Sequence, residues 1–184
     1  MDTGTEHERF ERLFEHHENR IRAYCARRLP PADVDDAVAE TFSVAWRKFV
    51  DAPDADDALP WLYAVAYRVV QHHWRGAGRF DRLRRRATAT SDRSEVDVAD
   101  EFIADDDRRR VVLAALRLDA HDQEILRLTL WEEITPTAAA TVLGISPDAA
   151  KQRARRARRR LAEEFHRSAR VRTADDARIE RSGT

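Results

Sequence analysis

The tightest constraint on this chain lies between Thr135 and Leu161, in the run TPTAAATVLGISPDAAKQRARRARRRL. Thr135 suits a helix cap and Pro136 a first helical turn. Ala139, Ala140 and Leu143 then give a small apolar face. Gly144 stands where the chain must turn sharply, Ile145 can plug the turn, and Ser146 with Pro147 starts a second helix. On that helix Ala150, Ala154, Ala157 and Leu161 recur at steps of four, three and four, which is one helical face. The rest of its surface carries Lys151, Arg153, Arg155, Arg156, Arg158, Arg159 and Arg160 against one acid, Asp148. The spacing predicts a helix-turn-helix whose small inner face packs closely and whose basic outer face fits the major groove and its phosphates. A solvated basic helix end is the plainer alternative. It leaves unexplained why the turn chemistry and the alanine stripe agree.

The chain has 184 residues, 42% hydrophobic and 36% charged, so a core must be shared among amphipathic helices. With only 5 Gly and few runs of Val, Ile and Thr, an all-α fold is expected. No apolar run approaches the roughly 18–20 residues of a membrane span, so no membrane insertion is expected. The N-terminus, MDTGTEHERF, is polar and unlike a signal peptide, which predicts a cytoplasmic protein. A single cysteine, Cys25, rules out an internal disulfide and a cysteine-based zinc cluster. The pairs His16–His17 and His72–His73 do not read as metal ligands, because adjacent helical residues point about 100° apart. No phosphate loop, nucleophile elbow or catalytic constellation is found, so neither cofactor nor enzymatic activity is expected.

The formal net charge is −1, an odd balance for a nucleic-acid binder, but the charges are segregated. Residues 51–58 (DAPDADDA) carry only acids, and residues 92–107 carry eight acids against Arg93. Residues 75–86 carry Arg75, Arg79, Arg82, Arg84, Arg85 and Arg86 against Asp81. Patches of opposite sign predict one surface that meets DNA and others that avoid it.

Three helices are expected first: Glu6 to Leu29, stopped by Pro30–Pro31; Asp33 to Val50, capped by Asp33; and Pro60 to Arg75, broken by Gly76 and Gly78. Phe10, Leu13, Phe14, Ile21, Tyr24 and Cys25 should face inward on the first. On the second, the stripe runs through Val34, Ala37, Val38, Thr41, Phe42, Ala45, Trp46 and Phe49. A charged, Ser/Thr/Ala-bearing stretch follows and reads as a flexible linker. Beyond it, Arg108 to Leu118 should form a helix burying Val111, Val112, Ala115 and Leu116, and Asp119 should cap the next, which carries Ile125, Leu126, Leu128 and Trp131. The organisation is thus two small helical domains: residues 6–80, a linker over 81–107, a helix-turn-helix domain over 108–166, and a disordered polar tail over 167–184.

The order of three motifs resembles bacterial RNA polymerase sigma factors of the extracytoplasmic-function group. DVDDAVAETFSVAWRKF (Asp33 to Phe49) is similar to the family's polymerase-binding helix, PWLYAVAYRVVQHHWR (Pro60 to Arg75) to the helix that opens and reads the −10 promoter element, and residues 111–161 to the domain that docks on the −35 element. Two departures touch −10 preference: Arg68 stands where the family often has Asn, and His72 where it often has Asp.

The resemblance implies contacts with core polymerase through Asp36, Glu40 and Phe42. For the −10 element the third helix interleaves Trp61, Tyr63, Tyr67 and Trp74 with Arg68 and Arg75. Rings can stack on unpaired bases, worth roughly 1–3 kcal/mol each, while arginine holds phosphates. Trp61, Tyr67, Arg68 and Arg75 are the expected contacts there, although packing in the core is the expected role of at least one ring. For the −35 element Lys151, Arg153, Arg155 and Arg156 lie in the half of the recognition helix that enters the groove. The acidic stretch 92–107 is expected to thread the polymerase's positively charged RNA path, or else to serve as a plain tether. The implied partners are core RNA polymerase, promoter DNA and an anti-sigma factor. Two rival readings are a helix-turn-helix regulator acting without polymerase and a helical protein–protein adaptor; stable binding to core polymerase separates both from the first.

Overall fold

The structure, a computed structural model, describes residues 3–49, 52–53, 58–87 and 106–182, with side chains placed over 6–49, 52–53, 58–76 and 110–167. Every regular element among the described residues is helical: α1 (Thr3–Ala26), α2 (Pro31–Arg47), α3 (Ala58–Ala87), α4 (Asp106–Leu116), α5 (Ala120–Leu130), α6 (Pro136–Leu143) and α7 (Pro147–Ser182). The chain divides into two compact units, one built on α1, α2 and α3 and including the segment 137–147, the other on α4, α5 and α7.

In the first unit α1, α2 and α3 pack against one another. Ile21, Tyr24 and Cys25 of α1, Ala37, Phe42 and Ala45 of α2, and Leu62, Tyr63, Ala66 and Val70 of α3 are buried. The Thr41 hydroxyl is also buried, and it donates to the Ala37 carbonyl oxygen at 2.7 Å, so the core carries no unpaired hydroxyl there. The aromatic residues of α1 and α2 meet edge-on, Phe14 with Phe42 at 4.7 Å and Phe10 with Trp46 at 4.9 Å between ring centres. The predicted stripes are not fully covered: Phe14 and Trp46 each keep about two fifths of their surface in solvent, and Phe10 and Leu13 are half-buried.

Four boundaries differ from the sequence reading. Asp33 does not cap α2. The cap position is Pro30, with Pro31 at the first helical residue, where a missing N–H costs nothing. Asp33 instead sits in the first turn, its N–H donating to the Pro30 carbonyl at 3.0 Å. Gly76 and Gly78 do not end α3, which runs 30 residues to Ala87. A glycine inside a helix costs only about 1 kcal/mol relative to alanine, less than a continuing helix recovers. The expected linker over 81–107 is therefore shortened by helix at 81–87, and 88–105 lie outside the described residues. Nor is the polar tail irregular: α7 continues to Ser182. Between Asp148 and Ser182 there is neither Gly nor Pro, and Ala, Arg and Glu favour helix.

In the second unit Asp119 caps α5 as expected, its side chain accepting from the N–H groups of His121 and Asp122 at 3.0 and 2.9 Å. Ile125, Leu126 and Leu128 are buried. The inward face of α4 is another matter: Ala114 and Leu118 are buried, while Val111 and Leu116 are exposed. The stretch VVLAAL is apolar all round, so its periodicity does not select a face. Trp131, at the end of α5, is 49% exposed.

Candidate nucleic-acid interface

Gly144 ends α6 at φ +65°, a left-handed conformation that favours glycine, and the Ile145 N–H closes the turn on the Ala140 carbonyl at 3.1 Å. A β-carbon at Gly144 would meet nothing within 4 Å, so the backbone angle, not crowding, selects glycine. After this turn α7 opens at Pro147. Ala150, Ala154 and Ala157 are buried and Leu161 half-buried, which is the small inner face that the spacing predicts. Lys151, Arg155 and Arg156 are exposed and Arg153 is half-buried. Lys151 lies 3.7 Å from Asp148 on the same exposed turn, a pairing that water screens easily.

Arg160 departs from the basic outer face. Its Nη1 is 2.6 Å from Asp122 Oδ2 and 3.2 Å from Asp119 Oδ2. The hydrogen bond to Asp122 and that carboxylate's charge raise the guanidinium's pKa above its ordinary value. The Asp119 carboxyl is pushed below the usual range, first by the Asp122 N–H it accepts and also by Arg160. The cap at Asp119 is visible in the sequence; its pairing with a residue 41 positions away is not.

On α3, Arg68 and Arg75 are exposed, and Trp61 and Tyr67 are half-buried. Tyr63 is 1% exposed and lies against Tyr24, ring centres 5.2 Å apart, so it belongs to the core and not to any stacking surface. Trp74 is partly exposed but anchored, its indole N–H donating to the Arg28 carbonyl at 3.0 Å.

On α2 the acidic residues are already engaged in part. Asp35 accepts a hydrogen bond from Arg22, which Glu18 also holds at 3.1 Å. These two partners raise the pKa of Arg22. Glu40 pairs with His73 Nε2 at 3.3 Å, tying α2 to α3, while Asp36 is exposed. Phe42, expected among the polymerase contacts, is 5% exposed and packed edge-on by Phe10 and Phe14, so in the free chain it belongs to the core beneath Asp36 and Glu40.

His17, the inner member of its pair, is buried with Nδ1 lacking a hydrogen-bond partner, and burial, then the nearby His16 and Arg20, lowers its pKa. Among the described residues no group of three or more His, Cys, Asp and Glu side chains is placed to hold a metal ion, and no helix is long and apolar enough to cross a membrane. Cys25 is buried and takes part in no disulfide.

The three-helix body coincides with a family match: residues 13–80 fit the sigma-70 region 2 model. The chain is 29% identical over 142 residues to the RNA polymerase sigma factor NccH of Alcaligenes xylosoxydans xylosoxydans, covering 72% of this chain and 73% of that protein. It is 28% identical over 144 residues to the RNA polymerase sigma factor CnrH of Cupriavidus metallidurans, with the same coverage of each. Among solved structures, CnrH in complex with the cytosolic domain of CnrY matches with a TM-score of 0.54 at 26% identity, over 84% of this chain and 85% of that one. The sigma factor RpoE in complex with the anti-sigma factor NepR from Bartonella quintana shares the fold, with a TM-score of 0.61 at 19% identity over 86% of this chain and 98% of that one. The chain is thus similar to RNA polymerase sigma factors over about 72% of its length, and residues 13–80 match sigma-70 region 2.

Proposed function

We propose that this chain binds core RNA polymerase and directs it to promoters, supplying sequence recognition to an enzyme and performing no chemistry of its own. The observation that carries this reading is the sigma-70 region 2 match over residues 13–80, which spans both α2 and α3 up to residue 80. On α2, exposed Asp36 and half-buried Glu40 are the acidic contacts proposed for polymerase; Phe42 supports them from the core beneath. On α3, exposed Arg68 and Arg75 would hold the −10 strand, with the accessible faces of Trp61 and Tyr67 offered to bases. On α7, Lys151, Arg153, Arg155 and Arg156 would meet the −35 element. The domain organisation proposed with it is a region 2-like body over 6–80 and a region 4-like helix-turn-helix over 108–166.

An initiation factor works where polymerase and chromosome are, so a cytoplasmic location accompanies the reading. Solved relatives stand in complex with the cytosolic domain of CnrY and with the anti-sigma factor NepR. An anti-sigma factor is accordingly a proposed partner here. The acidic run 92–107, whose first fourteen residues lie outside the described ones, is proposed to thread a basic polymerase channel. Co-purification tests the core of this reading. The full chain should retain core polymerase without DNA, and joint charge reversal of Asp36 and Glu40 should weaken that complex with helicity unchanged. Equal recovery of polymerase by wild type and double variant would exclude this docking face.

A further inference from the structure

We propose that Arg160 is a positioning residue: it locks the second half of α7 to the start of α5 without touching DNA, and so sets how Lys151 to Arg156 are presented to the −35 element. The inference rests on the sigma-factor reading above and deepens it.

Arginines crowd α7, and by composition any of them could hold a phosphate. Geometry separates Arg160 from the rest. One nitrogen of its guanidinium reaches two carboxylates of α5's first turn, Asp122 at 2.6 Å and Asp119 at 3.2 Å. Asp122 is buried, and a buried carboxylate stripped of its cation is costly, so this pairing is held and not merely sampled. Asp119 has a second duty. Its other oxygen accepts the N–H groups of His121 and Asp122, so the carboxylate that starts α5 also fastens α5 to α7.

Neighbouring residues on α7 turn the same way. Glu164, one turn on, lies 3.8 Å from Arg117 beyond the end of α4. Phe165 sits beneath the Arg110 guanidinium at 4.4 Å. Residues 160, 164 and 165 therefore form a docking face toward α4 and α5, while Lys151, Arg155 and Arg156 remain exposed. The helix is divided along its length into a half that reads and a half that is held.

The test uses the full chain with core polymerase and a promoter duplex that the wild type selects from a random-sequence library. The variants are Arg160→Gln, Arg160→Lys, Asp122→Asn and the exchange Arg160→Asp with Asp122→Arg, with Arg155→Ala as comparator. Arg160→Gln should lower affinity for the selected duplex about tenfold or more, and lower its preference over a scrambled −35 sequence. A loss of folded protein alone would leave that preference in place. The slope of log affinity against log salt should stay at the wild-type value, whereas Arg155→Ala should reduce it by about one. Asp122→Asn should also weaken and blur recognition, although it removes a negative charge and electrostatics alone would strengthen binding. Arg160→Lys should recover part of the loss and the exchanged pair more of it. A salt slope reduced by about one in Arg160→Gln, or an Asp122→Asn chain that binds at least as well as wild type, would overturn the lock. Amide exchange at His121 and Asp122 is read without DNA: faster exchange in Arg160→Gln supports the lock and unchanged exchange overturns it. If the wild type selects no sequence with core polymerase, the sigma-factor reading has failed, and the exchange result still decides the lock.

Discussion

In α1–α3 most large apolar side chains close on one another: Ile21, Tyr24, Leu62, Tyr63 and Val70 are each at or near zero exposure. Phe14, Trp46 and Trp74 at the edges keep about two fifths of their surface in solvent. In α4 and α5 only part of the apolar surface is covered. Ile125, Leu126 and Leu128 are buried, yet Val111, Leu113, Leu116, Leu130 and Trp131 keep between 40% and 55% of their surface in solvent. Similar residue types thus do different work in the two regions. Where aromatic and aliphatic residues recur on one helical stripe, burial follows the period along most of the stripe, Phe14 and Trp46 at its edge excepted, and stability follows burial. Where a short helix is apolar all round, hydrophobicity alone says little about which side chain holds the fold.

That contrast can be broken experimentally, and the largest effect belongs to the closed core. Leu62→Ala should destabilise the three-helix body by about 2–5 kcal/mol, as for other fully buried leucines, measured by chemical denaturation. A cost under 1 kcal/mol would mean that the α1–α3 core is loose. Next comes the turn before α7. Gly144→Val forces a β-branched residue into a left-handed conformation, at roughly 1–2 kcal/mol or more. Gly144→Asn should be tolerated better, since Asn enters this region more readily. Because a β-carbon there meets open space, equal losses in both variants would point to crowding and contradict the backbone account.

A smaller effect sits at His17. Burial, His16 and Arg20 hold its pKa down, so the folded chain favours the neutral ring. The unfolded chain takes up this proton near pH 6.5, and the folded chain does so only at lower pH. Stability from this residue is complete above about pH 6.5 and is lost as pH falls from there toward the folded-state pKa. His17→Gln should flatten that part of the acid limb in a series of melting temperatures, and an unchanged limb would show that the residue titrates normally. Smallest of all is Leu116→Ala, expected to cost well under 1 kcal/mol, because the side chain is 55% exposed. A cost like that of Leu62→Ala would erase the distinction between the two regions.

The same contrast explains what the sequence made legible. Gly144 and Asp119 were readable because local geometry admits few residues there: a left-handed turn and a helix cap each have short lists of suitable side chains. The stripe of α2 was readable from its period, which puts the Phe42 ring inside. Helix ends were harder. Pro30–Pro31 stops one helix and starts the next, and one pattern serves both roles. Gly76 weakens a helix without the power to end it. The face of α4 was hidden by a run apolar on every side, and the Arg160 lock by the 38 and 41 residues separating its partners. Pairing over that distance is a product of packing, which local spacing does not encode.

The central claim is tested most directly by transcription from mapped start sites with purified core polymerase and this chain. With the chain present, transcripts should begin at defined positions downstream of a two-part sequence. Joint replacement of Arg155 and Arg156 by Ala should abolish selection of the upstream part, while charge reversal of Asp36 and Glu40 should reduce all initiation together. Start sites identical with and without the chain, or unaffected by either pair of substitutions, would contradict the account.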